Sequence, residues 1–300
     1  SWSLILVQGN TMTLRAAGDV VGVFFDAVTV EASRVVLQSN AINLWTDTAQ
    51  SANILRADGL LFEAGVIKLS RVDIVGGYTR VEESTSAPPG WYQSPSCIAT
   101  RRTVFNLTTV LSISGHTCLV YLSTSAQSNA TGFDWSPSNM TGLSNVTSQG
   151  NVYSISGRAT AFGARLIGVT ANANMLWQGD SFAVTSTGSA GIAAAVVIGE
   201  EGPQTNVTWS NLSFVGCSFT VNSSYVTGNS LLQHADGQLY AARGLYVKDP
   251  VSFTNASLSF RGNTWALNSS SGNAVGADFV NAVASRGSFS WQQETYDIKS

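Results

Sequence analysis

Charge is what this sequence has least of. Only 11% of its 300 residues are charged, against about a quarter in an ordinary soluble domain. Lys and Arg together number 15, Lys itself occurs three times, and 18 acidic residues leave a net charge of −3. A nucleic-acid binder working through clustered cations is thereby excluded. So is a charged disordered chain, because 44% of residues are hydrophobic and 10% aromatic. Cysteine and histidine are scarce too. Three Cys without a CxxC, and two His, argue against a zinc centre. There is no phosphate loop and no dinucleotide fingerprint, so no cofactor is expected. No apolar run reaches the roughly 18 residues of a membrane span. The first ten residues, SWSLILVQGN, lack a basic region and a cleavage site. They read as a strand entered partway, and predict a mature protein or an excerpt of a longer chain.

What is abundant is uncharged and polar: 40 Ser, 27 Thr, 28 Gly and 20 Asn. Asn-x-Ser/Thr acceptors stand at Asn106, Asn129, Asn139, Asn145, Asn206, Asn211, Asn222, Asn255 and Asn268. This composition gives roughly four or five by chance, so their number points to a glycosylated chain on the extracellular side, secreted or at the cell surface. The bland alternative is a turn-rich composition that carries no sugar.

One pattern recurs: apolar, two residues, Asn, one residue, apolar, one residue, apolar. It reads Val7-Gln-Gly-Asn10-Thr-Met12-Thr-Leu14, then Leu37-Gln-Ser-Asn40-Ala-Ile42-Asn-Leu44, then Phe260-Arg-Gly-Asn263-Thr-Trp265-Ala-Leu267. Looser copies centre on His116, Asn172, Cys217 and Glu294, with a degenerate one at Gly77. A second apolar pair often precedes the motif: Ile67 and Leu69, Val207 and Trp209, Val251 and Phe253. Both members of each pair are expected to face inward, as are Phe105 and Leu107.

Alternate residues of a strand share a face. A continuous strand with Phe260 inward would turn Trp265 and Leu267 outward. The phase slips by one residue at Arg261-Gly262, so a corner there lets both apolar sets meet one interior and turns Asn263 inward as well. The spacing is irregular, 30 residues from Asn10 to Asn40 but 46 from Cys217 to Asn263. Helical repeats keep their length; stacked β coils with variable loops need not. The chain therefore reads as all-β: a right-handed parallel β-helix, one continuous domain over residues 1–300. Asn10, Asn40, His116, Asn172, Cys217 and Asn263 are predicted as rungs of an internal ladder. Segments 82–97 and 123–150 read as loop excursions, the first carrying Trp91 and Tyr92. Cys97 and Cys118 form a candidate disulfide; alternatively all three Cys are small buried apolar residues.

Chemistry is hard to find. Glu82-Glu83 and Glu200-Glu201 read as solvated acids in loops beside Pro or Gly, and Asp236, Arg243, Asp249 and His234 make a loose set that reads as an ordinary polar loop. A glycosidase needs two carboxylates on one face, and with two His no Ser-His-Asp arrangement is supported.

Copies such as Val207-Thr-Trp-Ser-Asn-Leu-Ser-Phe-Val-Gly-Cys217 and Val251-Ser-Phe-Thr-Asn-Ala-Ser-Leu-Ser-Phe-Arg-Gly-Asn263 resemble the pectin-lyase-like β-helix superfamily. The sequon-rich, Lys-poor texture is similar to the surface glycoproteins of the trypanosomatid dispersed gene family. That likeness implies an adhesin-like ectodomain of a large membrane-anchored protein, with no catalytic residues. The expected function is a non-catalytic β-helical stalk or adhesin contacting host or matrix glycans or proteins, flanked by further coils of its parent chain. A β-helical carbohydrate-active enzyme and a filament or coat component stacking end to end are the alternatives.

Overall fold

A computed structural model describes residues 3–16, 18–46, 56–83, 95–122, 129–158, 160–188, 191–199, 204–224, 240–270 and 273–299. These residues form strands, bends and turns and no helix, and hence no helix able to cross a membrane. The strands make three sheets of nine, nine and twelve strands. Pairing is parallel, each strand bonding to its counterpart in the next coil, as in Ser3–Gln8 with Ser33–Gln38 and Thr11–Ala16 with Ala41–Thr46. The chain visits the first sheet, the second and the third in turn and then repeats, which makes it a parallel β-solenoid.

The sequence motif is the passage from first sheet to second. Its leading apolar residue stacks in one column, Leu37 on Ile74 on Ile113, and Trp177 on Phe214 on Phe260 on Trp291. The residue before each rung is left-handed in all nine coils, with φ from +51° at Ser39 to +65° at Gly9. That is the corner the phase slip demands, and six of these residues between Gly76 and Gly262 are Gly, which carries no Cβ penalty there. On the second sheet Tyr153, Phe182, Phe219, Trp265 and Tyr296 form a continuous ring stack with centroids 4.1 to 6.0 Å apart. Small residues of the third sheet face that stack. A Cβ on Gly163 would lie 2.8 Å from a Phe182 ring carbon, and one on Gly244 2.8 Å from Trp265. The core is thus a column of large rings against a column of residues too small to block them.

Four expectations need correction. Leu69, Leu107 and Trp209 are not inward but 44%, 46% and 65% exposed, each in the left-handed conformation at a corner where its strand has ended. Strand parity stops applying once the chain turns. The segment 123–150 is not an excursion either. Asn129–Thr141 and Asn145–Gln149 are coil strands, which bury Ala130, Phe133, Trp135, Met140 and Val146 in the core. Residues 123–128 lie outside the described residues. So do 84–94 of the other expected excursion, including Trp91 and Tyr92, while its ends belong to strands Tyr78–Glu83 and Ser96–Arg101.

Candidate functional site

The inner ladder has a repeated bonding rule. The side-chain oxygen of a rung accepts the backbone N–H of the rung before it: Asn10 to Asn40 at 3.1 Å, His116 to Asn151 at 2.8 Å, Cys217 to Asn263 at 2.7 Å. The side-chain amide donates to the carbonyl three residues ahead of that earlier rung: Asn40 to Val7, Asn151 to Ile113, Asn263 to Phe214, at 2.9 to 3.1 Å. Each Asn so satisfies two backbone groups that the tight corner would otherwise strand. Asn40, His116, Cys217 and Asn263 are buried. Asn10 is in line with them but exposed in the outermost coil. His116 bonds Gly76 O through Nδ1 and Thr79 Oγ1 through Nε2, and burial lowers its pKa. Glu294 ends the column, accepting from Asn263 and from Trp265 Nε1.

Asn172 is not a rung. It is exposed and left-handed at a different corner, between third and first sheets. The rungs of those coils are Asn151 and Asp180, linked at 2.6 Å. The pattern hid them because Ser148 takes the leading apolar place before Asn151, where its hydroxyl meets Tyr153 OH and Asn151 Nδ2. Asp replaces Asn at 180. Two further ladders, made of hydroxyls, were also missed. Ser33 N donates to Ser70 Oγ, Thr109 N to Ser144 Oγ and Ala173 N to Ser210 Oγ at one corner. Thr103 N donates to Ser138 Oγ and Gly168 N to Thr205 Oγ1 at another. At the first of these corners the readable signal was a Ser directly after a left-handed residue, as in Leu69-Ser70, Leu143-Ser144 and Trp209-Ser210.

Cys97 and Cys118 meet inside the solenoid as a disulfide, Cα atoms 5.8 Å apart. Cys97 stands in the small-residue column, in register between Gly59 and Gly132, and Cys118 in the column that Tyr153 continues. The pair occupies the place of a glycine–ring contact. Cys217 is a buried thiol, its pKa pushed up to about 12 by burial.

None of the nine sequon asparagines is buried. Asn139 and Asn211 are exposed; Asn106, Asn129, Asn145, Asn206, Asn222, Asn255 and Asn268 are half-buried. Several form ladders of their own on the outside. Asn174 Nδ2 donates to Asn145 Oδ1, and Asn211 Nδ2 to Asn174 Oδ1, at 3.1 and 2.9 Å. Asn268 Nδ2 donates to Asn222 Oδ1 at 2.9 Å. Beside the first of these runs a hydroxyl column, with Ser213 Oγ 2.9 Å from Ser259 Oγ. The outer face of the first sheet over these coils is flat, hydroxyl- and amide-rich, and nearly free of charge.

The densest charge lies on the third sheet. Asp134 and Arg165 are register partners, each flanked by core residues, so both point away from the core. Arg165 binds Asp134 through Nε and Nη2 at 3.0 and 2.9 Å. Arg101 binds Asp58 at 2.8 Å and reaches Asp134 at 3.8 Å. Asp58 also accepts from Ser96. Burial raises the Asp58 pKa to about 6, opposed by the Arg101 guanidinium. Asp58 and Asp134 have no exposed surface. Two carboxylates share the Arg101 guanidinium, and an ion cluster cross-linking coils is what the geometry provides. Farther along, Arg243 pairs with Asp278 and lies over the Tyr246 ring. His234, Asp236, Glu200, Glu201 and the side chain of Asp249 lie outside the described residues. Among the described residues no three His, Cys, Asp or Glu side chains converge as a metal group. No family model, curated protein or solved structure matches this chain.

Proposed function

We propose that this chain is a non-catalytic module of an extracellular or cell-surface glycoprotein, a stalk or adhesin built on a right-handed β-solenoid of the pectin-lyase-like type. The right hand follows from the preference of parallel crossover connections within one sheet. One observation carries the reading: acceptor asparagines and ladder asparagines occupy separate populations. Asn40 and Asn263 are buried and bonded on both ends of the amide, whereas all nine sequon side chains reach the surface. A glycan cannot enter a packed core, so an Asn/Ser/Thr-rich chain glycosylated in a secretory pathway needs this separation. The internal disulfide suits an oxidising compartment. The uncharged outer face of the first sheet over strands Asn145–Gln149, Asn174–Gln178 and Asn211–Val215 suits contacts with glycans or proteins, made by hydroxyl and amide groups and not by ion pairs.

Glycopeptide mapping after secretion from a eukaryotic host tests the proposal. Occupancy at several sequons on more than one sheet is expected. Nine bare asparagines would remove its support. End-to-end stacking of coils between molecules is the second reading. Sedimentation separates the readings, since a filament former grows with concentration and a stalk module does not.

A further inference from the structure

Trp209 is the most exposed large hydrophobic residue in the described chain, at 65%. It sits at a corner with φ +51°, a conformation that is uncommon for so bulky a residue. Its indole joins no ring stack or hydrogen bond with the described residues. The next residue, Ser210, is pinned inside, donating to Thr208 O at 2.8 Å and accepting from Ala173 N at 3.2 Å. Trp209 and Asn211 therefore emerge on either side of one buried residue, and Asn211 begins the acceptor Asn211-Leu-Ser213. Two coils earlier the corner repeats this arrangement: Leu143, 58% exposed and left-handed, then buried Ser144, then the acceptor Asn145. In the coil between, Asn174 is followed by Met175 and Leu176, so it is no acceptor, and the matching corner residue is polar Asn172. Leu69 stands at the corner before Arg71, so an apolar side chain there does not require an acceptor; an aromatic one occurs at this corner only before Asn211.

We propose that Trp209 is the seat for the first N-acetylglucosamine of a glycan on Asn211, an inference that rests on the glycoprotein reading. The donor is an oligosaccharide carried on a polyprenyl diphosphate. Asn211 Nδ2 bonds to the anomeric carbon, the anomeric C–O bond breaks, the polyprenyl diphosphate leaves with the electron pair, and one amide proton passes to a base of the transferase. Asn211 keeps its second Nδ2–H, which still donates to Asn174 Oδ1 and fixes the direction in which the sugar leaves the sheet. The C–H face of a pyranose is apolar and the indole face is electron-rich, so stacking covers a surface that otherwise stays wet.

The full chain is secreted from a eukaryotic host as wild type, Trp209→Ser and Trp209→Phe, and each acceptor is mapped by mass spectrometry. Asn211 occupancy is expected to fall about twofold or more in Trp209→Ser, to be largely kept in Trp209→Phe, and to stay constant at Asn206 and Asn255 in both. The exposed position of Trp209 leaves folding of the variants intact, and circular dichroism confirms it. Unchanged Asn211 occupancy in Trp209→Ser overturns the proposal, as does a bare Asn211 in a wild-type chain glycosylated elsewhere. In both cases the glycoprotein reading survives. Bare asparagines at all nine acceptors would instead defeat that reading, and this one with it.

Discussion

Asp180 occupies a column of rungs held elsewhere by Asn40, Asn151 and Asn263. Its Oδ1 accepts from Asn151 N, while its Oδ2 is buried without a partner in hydrogen-bonding geometry. An amide at this place would turn an N–H toward the Ser148 carbonyl, as the other three Asn do toward the carbonyls of their preceding coils. Burial raises the Asp180 pKa from 3.8 to about 6. The folded state thus holds the proton more tightly than the unfolded one. The stability this lends is complete below pH 4 and is lost as pH rises through about 6. Asp180→Asn is expected to stabilise the chain at pH 7 by about 1–3 kcal/mol, with the gain shrinking toward pH 4. Thermal melts of both proteins at the two pH values check it; an equal gain at each would refute the assignment. Asn40 and Asn263 were legible because apolar residues bracket them at fixed offsets. Asn151 and Asp180 were not, because a serine serving Tyr153 and a carboxylate stand where the pattern expects a hydrophobe and an amide.

At the scale of the strand, the third sheet carries the ion pairs whose two partners are both buried. Strand Ser96–Arg101 delivers Arg101 to Asp58 of strand Ala57–Glu63 and to Asp134 of strand Asn129–Thr141. Asp134 has a second guanidinium in Arg165. Asp58 depends on Arg101 and on Ser96, so Arg101→Met is expected to cost about 3–5 kcal/mol by leaving a buried carboxylate uncompensated. Adding Asp58→Asn is expected to restore more than half of that. A double-mutant cycle in urea reads the coupling, and additive losses would show that the two residues act separately. Sequence reading passed over this cluster, since its members lie 31 to 43 residues apart and converge only when the coils stack. The same limit put Leu69 and Trp209 inside. Alternation predicts direction along a strand, and both residues sit at the turn that ends one.

Over the whole molecule, long-range order comes from repetition: each coil is held by the coil on either side, and rings, amides and hydroxyls run as columns along the stack. The disulfide is the one covalent link across the interior, closing a loop of 21 residues between third and second sheets. Cys97→Ala with Cys118→Ala is expected to lower stability by about 2–4 kcal/mol. Because both residues are fully buried, a reductant should act on the native protein only after local opening. Thiol labelling with and without denaturant tests this, and fast labelling of the reduced native chain would contradict the interior placement. Length, low charge and the offset apolar pattern already determined that the chain builds coils of short strands with an amide at a tight corner, since strand parity and corner sterics are local. Which asparagine becomes a rung, which corner residue turns out to solvent, and which arginine neutralises which carboxylate were decided by coil-to-coil register. Register is set by packing between residues 29 or more positions apart, and strand parity and local spacing do not reach that far.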